Sequence, residues 1–307
     1  MIMPSTRRKF IQQLTPAALL PMLSSFRHFS LPEADKAKRF HRILSCNIRV
    51  ALDEDEQKGV GWSARRDICL KIIRSKQPDI ICLQEVLKVQ ADDFRNYFKG
   101  YSLLGFDGPE MDAHPTGYHG IAKNPILFSN KRYELLAAGT YWLSETPLVA
   151  GSKSWDTARA RHANWVRLRE RASGKDFRVV NLHLDHVSAE AKIQQAKMVA
   201  EESSQYPPDF PQLLAGDFNA RHTSRVFHSI REHGWKDTYA AIHGEGEPGF
   251  TAHAFQGEQY EKGSKGGKID FIWCRGAVKP VGTAIIKDQV NGRYPSDHYF
   301  LSADVEL

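Results

Sequence analysis

The chain has 307 residues, 41% hydrophobic and 25% charged, with a formal net charge of +6. That much apolar material excludes a disordered chain and suffices for one large domain or two small ones. The positive surplus suits an anionic partner such as a nucleic acid, a phospholipid headgroup or a small phosphate ester, and equally an unremarkable basic surface.

At the N-terminus, Ser5-Thr6-Arg7-Arg8-Lys9-Phe10-Ile11 precedes a moderately apolar stretch from Leu14 to Leu23. The pattern resembles a twin-arginine export signal. It is too short for a membrane span, which needs about 18 or more consecutive apolar residues. Residues 1–34 are therefore expected to be a leader outside the fold, with the domain running from 40 to 307 and the protein exported to the periplasm or beyond. A basic, frayed N-terminal helix is the alternative. Of the four cysteines, Cys46, Cys82 and Cys274 sit in apolar strand-like runs, and with Cys69 they show no metal-finger spacing. A disulfide between two of them stays open.

After the leader, Ile43 to Val50 and Ile80 to Gln84 read as buried strands around a helix over Arg65 to Lys76, which Pro78 ends. Tyr101 to Phe106, Ile126 to Ser129, Tyr133 to Trp142 and Trp165 to Arg169 read as a meander of strands joined by Gly, Pro and Asn turns. Phe177 to Leu184 is a strand, Ala189 to Ser203 an amphipathic helix, Gln212 to Ala215 a strand and Ser224 to His233 a shorter helix. Lys268 to Cys274, Val278 to Ile286 and Tyr299 to Val305 complete the strands, after a Gly- and Lys-rich loop from Gly257 to Gly267. With no linker between comparable halves, the economical architecture is α/β, two packed sheets with helices outside.

Acids, amides and histidines cluster at the ends of these strands. Asn47 interrupts an apolar run, Glu85 follows Ile80-Ile81-Cys82-Leu83-Gln84, and Asp217 with Asn219 follows Leu213-Leu214-Ala215-Gly216. Asp270 leads into Phe271-Ile272-Trp273, and Asp297-His298 into Tyr299-Phe300-Leu301. Buried carboxylates without partners are costly, so a shared site at one edge of the sheets is the natural reading. Taken singly, each has an ordinary alternative: Asn47 could satisfy strand backbone, Asp217 and Asn219 could shape a turn, and Asp270 could be a surface acid.

In order, Asn47, Leu83-Gln84-Glu85, Asn181-Leu182-His183-Leu184-Asp185-His186, Gly216-Asp217-Phe218-Asn219, Ile269-Asp270-Phe271-Ile272 and Ser296-Asp297-His298 resemble the motif set of the endonuclease/exonuclease/phosphatase superfamily. The resemblance runs from about Ile43 to Val305. It implies a DNase I-like four-layer α/β/β/α sandwich of two mixed sheets, dependence on Mg²⁺ or Mn²⁺, and hydrolysis of a phosphate ester. Glu85 with Asn47 would hold the metal, with Asp297 supporting it or a neighbouring ligand. His298 and Asp270 would be the histidine and its carboxylate partner, Asp217 the acid that orients or deprotonates water, and Asn219, Asn181 and His183 hydrogen-bond donors to the phosphate.

Two positions depart from the pattern. Ala122 stands where an acid commonly supports the His183 equivalent, leaving Asn124 or Asp185 to substitute, and Lys268 replaces a frequent arginine. Gly139 to Pro147 and Gly151 to Asp156 resemble a bacterial branch near the deadenylase-like members. Trp142, Trp155 and Tyr141 could stack on a base or sugar, or pack the core. His162, His186 and His253 read as loop or core histidines. Phe106 to Lys123, Leu148 to Ala163 and Ala241 to Lys265 are expected to wall the substrate groove. The partner is expected to be a phosphate ester, nucleic acid or nucleotide included, and the protein a monomer without a membrane span. Sphingomyelinase-like or inositol-phosphate hydrolysis, and a phosphate-binding module without activity, are the alternatives.

Overall fold

The computed structural model describes residues 39–106, 121–246, 249–261 and 267–307. The expected leader lies outside the described residues, as do 107–120 of one expected groove wall and 262–266 of the Gly- and Lys-rich loop. Strands are numbered in chain order. One sheet holds β1 (His41–Asn47), β2 (Ile80–Gln84), β3 (Tyr101–Leu104), β4 (Ile126–Ser129), β11 (Lys279–Ile286) and β12 (Phe300–Glu306), in the order β11-β12-β1-β2-β4-β3. The other holds β5 (Tyr133–Trp142), β6 (His162–Glu170), β7 (Asp176–His183), β8 (Gln212–Asp217), β9 (Lys236–Asp237) and β10 (Asp270–Arg275), in the order β5-β6-β7-β8-β10-β9. Each is mixed: β1 with β2, and β7 with β8, run parallel, and their other pairings are antiparallel.

Helices α2 (Trp62–Ser75) and α3 (Lys88–Tyr97) cover the outer face of the first sheet, where Trp62, Ile73 and Phe94 pack on Leu44, Ile81 and Leu83. Helices α4 (Ala189–Ser203) and α5 (Phe227–Glu232) cover the second, where Val199 and Phe227 pack on Val180, Leu214 and Trp273. Two short helices, α1 (Asp53–Gln57) and α6 (Thr238–His243), complete the described set. The result is the expected four-layer sandwich. Each large apolar side chain buried between layers stabilises it by roughly 1.5–3 kcal/mol.

The differences from the sequence reading have local causes. β1 stops at Asn47 because Arg49 takes a left-handed φ of 56° that no strand continues. α2 starts at Trp62, where Glu56 accepts from the Ser63 amide and draws the first turn forward. β6 begins at His162, earlier than Trp165, because pairing with β5 reaches Trp142. α3 was not anticipated, although Ala91, Phe94 and Phe98 fall at helical spacing. The two halves of the chain do not each own a sheet, since β11 and β12 return to the first. All four cysteines are free and buried.

Side-chain alternation decides what the two sheets point at each other. Ile43, Ile80, Cys82, Phe177, Val179, Leu213, Ala215, Ile272 and Cys274 form the inner core. Every second residue of a strand shares a face, so continuing the same parity toward one end brings Asn47, Gln84, Asn181, His183, Asp217 and Asp270 inward. Gly216 permits this approach: its φ is 151°, and a Cβ there would collide with the Leu182 carbonyl of the parallel neighbour.

Candidate active site

The apolar core gives way first to a layer of amides. Gln84 Nε2 donates to Asn181 Oδ1 at 2.7 Å and to the Cys82 carbonyl at 3.2 Å. Asn181 Nδ2 lies 2.8 Å from the Leu83 carbonyl oxygen and 3.1 Å from those of Asn124 and Pro125. Both side chains are fully buried. These bonds tie the sheets together, because Gln84 and Leu83 belong to one and Asn181 to the other. Asn181 is thus engaged one layer below the cleft, and the expectation that it donates to a phosphate does not fit this placement.

Above that floor the charged groups meet. Glu85 takes a left-handed φ of 63°, which turns its side chain off the strand line and into the cleft. Its Oε2 accepts from the Val50 amide at 3.0 Å, and Asn47 Nδ2 reaches its Oε1 at 3.3 Å and Asp217 Oδ2 at 3.0 Å. Asp217 ends β8 directly opposite Asp270 of the antiparallel β10. Burial, reinforced by the Asp270 charge, pushes the Asp217 carboxyl up to about 7.

Asp270 Oδ2 accepts from His298 Nδ1 at 2.9 Å. Burial opposes the charged imidazole, but Asp270 outweighs it and holds the His298 pKa well above its ordinary value. Backbone bonds fix this pair: the Ile269 and Asp270 amides donate to Thr251 Oγ1, and the Tyr299 amide donates to the Thr251 carbonyl. Asp297 sits beside them, 3.6 Å from Arg49 Nη1, and burial followed by the Glu85 charge raises its carboxyl.

His183 closes the other side. Its Nε2 lies 3.0 Å from Asn219 Nδ2 and 3.4 Å from Asp217 Oδ2. Burial and then the Arg161 charge keep this imidazole neutral, well below its ordinary pKa. The two Asn219 amide hydrogens go to His183 Nε2 and to the Leu184 carbonyl at 3.1 Å, so in this arrangement Asn219 orients His183 rather than donating outward. Neither substitute for the acid missing at Ala122 reaches His183. Asn124 Nδ2 donates to the His162 carbonyl, while Asp185 accepts from the Ala158, Val187 and Ser188 amides.

The donor chemistry fits a hard divalent cation. Glu85, Asp217, Asp270 and Asp297 place four carboxylates around one histidine cation and Arg49, and Asp270 Oδ1 is buried without a partner. Oxygen ligands of this kind suit Mg²⁺ or Mn²⁺. Asp217, Asp270 and His298 can bring one ligand atom each within 4.8 Å of one another. Their histidine is committed to Asp270, which leaves Glu85 and Asn47, with Asp297 beside them, as the better-suited ligands.

The remaining expectations divide cleanly. His162 is buried against Trp142 and Phe106, and His253 is stacked on Tyr299 and Tyr294, so both are core residues. Tyr141 and Trp142 are buried too, which removes them from any stacking role. Lys268 is buried, 3.0 Å from Asp237 and over the Phe271 ring. Sequence reasoning missed Arg49, which braces Asp297, and Arg161. Both lie beside the motifs, outside any strand-end acid pattern.

The sequence model described as "Endonuclease/Exonuclease/phosphatase family" matches residues 44–298. The chain belongs to this family. An endonuclease/exonuclease/phosphatase from Bacteroides vulgatus superposes with a TM-score of 0.76 at 28% identity, covering 88% of this chain and 100% of that one. A mannosyl-6-phosphatase from Bacteroides thetaiotaomicron gives a TM-score of 0.77 at 25% identity, covering 87% and 100%. Nocturnin of Drosophila melanogaster is 26% identical over 291 residues, 82% of this chain and 43% of that protein. Human Nocturnin, at 24% identity, spans 86% of this chain and 64% of its own. The chain therefore spans less than two thirds of these curated relatives, and what it shares with them is the family domain. Among the described residues no helix is long and apolar enough to cross a membrane.

Proposed function

We propose that this chain is a phosphoric ester hydrolase that uses Mg²⁺, or Mn²⁺ in its place, and acts outside the cytoplasm. The observation that carries the reading is the buried Asp270–His298 pair at 2.9 Å beside Asp217, assembled from three distant parts of the chain. Export rests on the Arg7-Arg8 segment alone.

Asp217 accepts the proton of the attacking water, and a pKa near neutrality suits a general base. His298, kept cationic by Asp270, faces the phosphoryl oxygens as their charge grows. His183, neutral and held by Asn219, orients the substrate from the opposite wall. Glu85 and Asn47, with Asp297 beside them, would hold the cation. When bound, that cation offsets charge on the phosphoryl oxygens. Between nucleic acid and small phosphates, the likeness to a bacterial mannosyl-6-phosphatase favours a small phosphomonoester.

The test is hydrolysis by the mature protein, with Mg²⁺, Mn²⁺ or chelator, of sugar phosphates, nucleotides, inositol phosphates, sphingomyelin, single-stranded DNA, RNA and bis-p-nitrophenyl phosphate. Turnover that chelator, Glu85→Ala and His298→Ala each abolish supports the reading. Metal binding by a folded protein that turns over none of them argues instead for the phosphate-binding module.

A further inference from the structure

Four arginines are buried among the described residues, and three have obvious work. Arg65 donates to the carbonyls of Val60, Ile48, Arg49 and Pro295. Arg178 pairs with Glu202 at 2.7 Å, and Arg275 donates to the His233 carbonyl at 2.9 Å. Arg161 differs. It is 8% exposed, and among the described residues its Nε is buried without a partner and its one hydrogen-bonding contact is Nη2 to His186 Nδ1 at 3.3 Å. A guanidinium stripped of water with neither carboxylate nor carbonyl to face is costly, and an anion relieves that cost.

Its position points the same way. Arg161 stands immediately before β6, whose first residue His162 lies at the end of the sheet where β7 ends in His183. The contact residue His186 has a half-exposed side chain at the cleft. Arg161 is the leading charge acting on His183, His186 and His162, and Glu85 also reaches His186 across the cleft. Among charges, Asp217 and His298, in contrast, answer first to Asp270, then Asp217 to His298 and His298 to Asp297. Arg161 thus adjoins the reacting groups without belonging to them. The nearby acid, Asp185, already accepts three backbone amides.

We propose that Arg161 and His186 form an oxyanion subsite beside the catalytic cluster, which holds a second anionic group of the substrate, a phosphate or its equivalent, next to the phosphate being cleaved. This rests on the hydrolase reading for its purpose, though not for its existence. Arg161 is a specificity residue that selects esters carrying two anionic groups over those carrying one, and its planar fork suits a tetrahedral oxyanion.

The experiment has two arms on the full chain. Inorganic sulfate is titrated calorimetrically into wild type, Arg161→Gln, Arg161→Lys and His186→Ala, with chelator present. Wild type is expected to bind sulfate at roughly 1 mM or tighter, Arg161→Gln at least about tenfold more weakly, and Arg161→Lys, which keeps the charge and loses the fork, between the two. Sulfate bound equally well by Arg161→Gln, or not bound by wild type, overturns the subsite. Should Arg161→Gln fail to fold, unchanged affinity in His186→Ala overturns it and weakened affinity there supports it.

The second arm compares adenosine 3′,5′-bisphosphate with p-nitrophenyl phosphate. Burial, the larger cause, still holds His183 neutral without Arg161, so Arg161→Gln is expected to raise KM for the bisphosphate roughly tenfold with kcat nearly unchanged, and to leave KM for the monophosphate within about twofold. An equal rise for both overturns the selectivity. If wild type hydrolyses neither while the sulfate pattern holds, it is the hydrolase reading that fails and the subsite that stands.

Discussion

Two polar layers lie one above the other between the sheets, and they are built on opposite terms. In the lower, Gln84 and Asn181 are fully buried, with the Asn181 amide set among three carbonyl oxygens. In the upper, Asp217 and Asp270 stand opposite each other as like charges, Asp270 Oδ1 and His183 Nδ1 have no partner, and Asp217 is driven far from its ordinary pKa. A neutral amide network, in which Gln84 Oε1 alone lacks a partner among the described residues, fixes the alignment of the sheets, whereas the layer resting on it holds charge in a poised, costly state. The contrast teaches that polarity at a sheet interface does not by itself mark a site; converging buried charge does.

The comparison breaks most sharply at His298. His298→Ala should lower kcat/KM by at least about 10³, near 4 kcal/mol of transition-state stabilisation, and should also lower the unfolding free energy, because Asp270 is left buried without its cation. Steady-state kinetics alongside urea unfolding checks both, and a folded variant with near-normal turnover would remove His298 from the chemistry.

Asn181→Ala should do the reverse of an upper-layer change. Stripping the amide from three carbonyl oxygens and from Gln84 should cost about 2–3 kcal/mol of stability. Equilibrium unfolding measures it, and a loss below about 0.5 kcal/mol would deny the floor its structural role.

Asp270→Asn sharpens the electrostatics on a smaller scale. Asp270 raises the His298 pKa, so the wild-type imidazole stays charged until pH climbs past that raised value. Without the carboxylate, the basic limb of the pH profile of kcat/KM should move to lower pH, toward the ordinary histidine value. A limb that stays in place would assign it to another group.

Much of this was legible in the chain itself. The strands around Ile80 and Leu213 could be read because short apolar runs stop abruptly at acids, and an acid ending a buried strand has few places to go. The parity that brings Asn47, Asp217 and Asp270 to one surface follows from the same period of two. What stayed hidden depends on contacts across the molecule. Asn181 shares the motif of His183, and only depth shows that one faces carbonyl oxygens and the other the cleft. Arg161 looks like any arginine in a basic loop until its burial and lack of a carboxylate are known. The helix over Lys88 to Tyr97 carries little apolar periodicity of its own, because only Ala91 and Phe94 are its buried apolar residues and the rest of its face is polar.

The most direct test of the account is Asp217→Asn, assayed for turnover and for unfolding free energy in one preparation at pH 8 with chelator in the unfolding samples. The Asp217 pKa is raised to about 7 in the folded chain, so the folded state binds more protons than the unfolded one between the ordinary carboxylate range and about 7. The wild type therefore loses stability as pH rises through that window, and the ionised carboxylate costs roughly 4 kcal/mol above it. Asp217→Asn should abolish turnover and be more stable than wild type at pH 8, with the difference shrinking toward pH 5. A variant less stable than wild type that keeps substantial turnover would contradict the account, because Asp217 would then be a structural residue and the charged layer no active site.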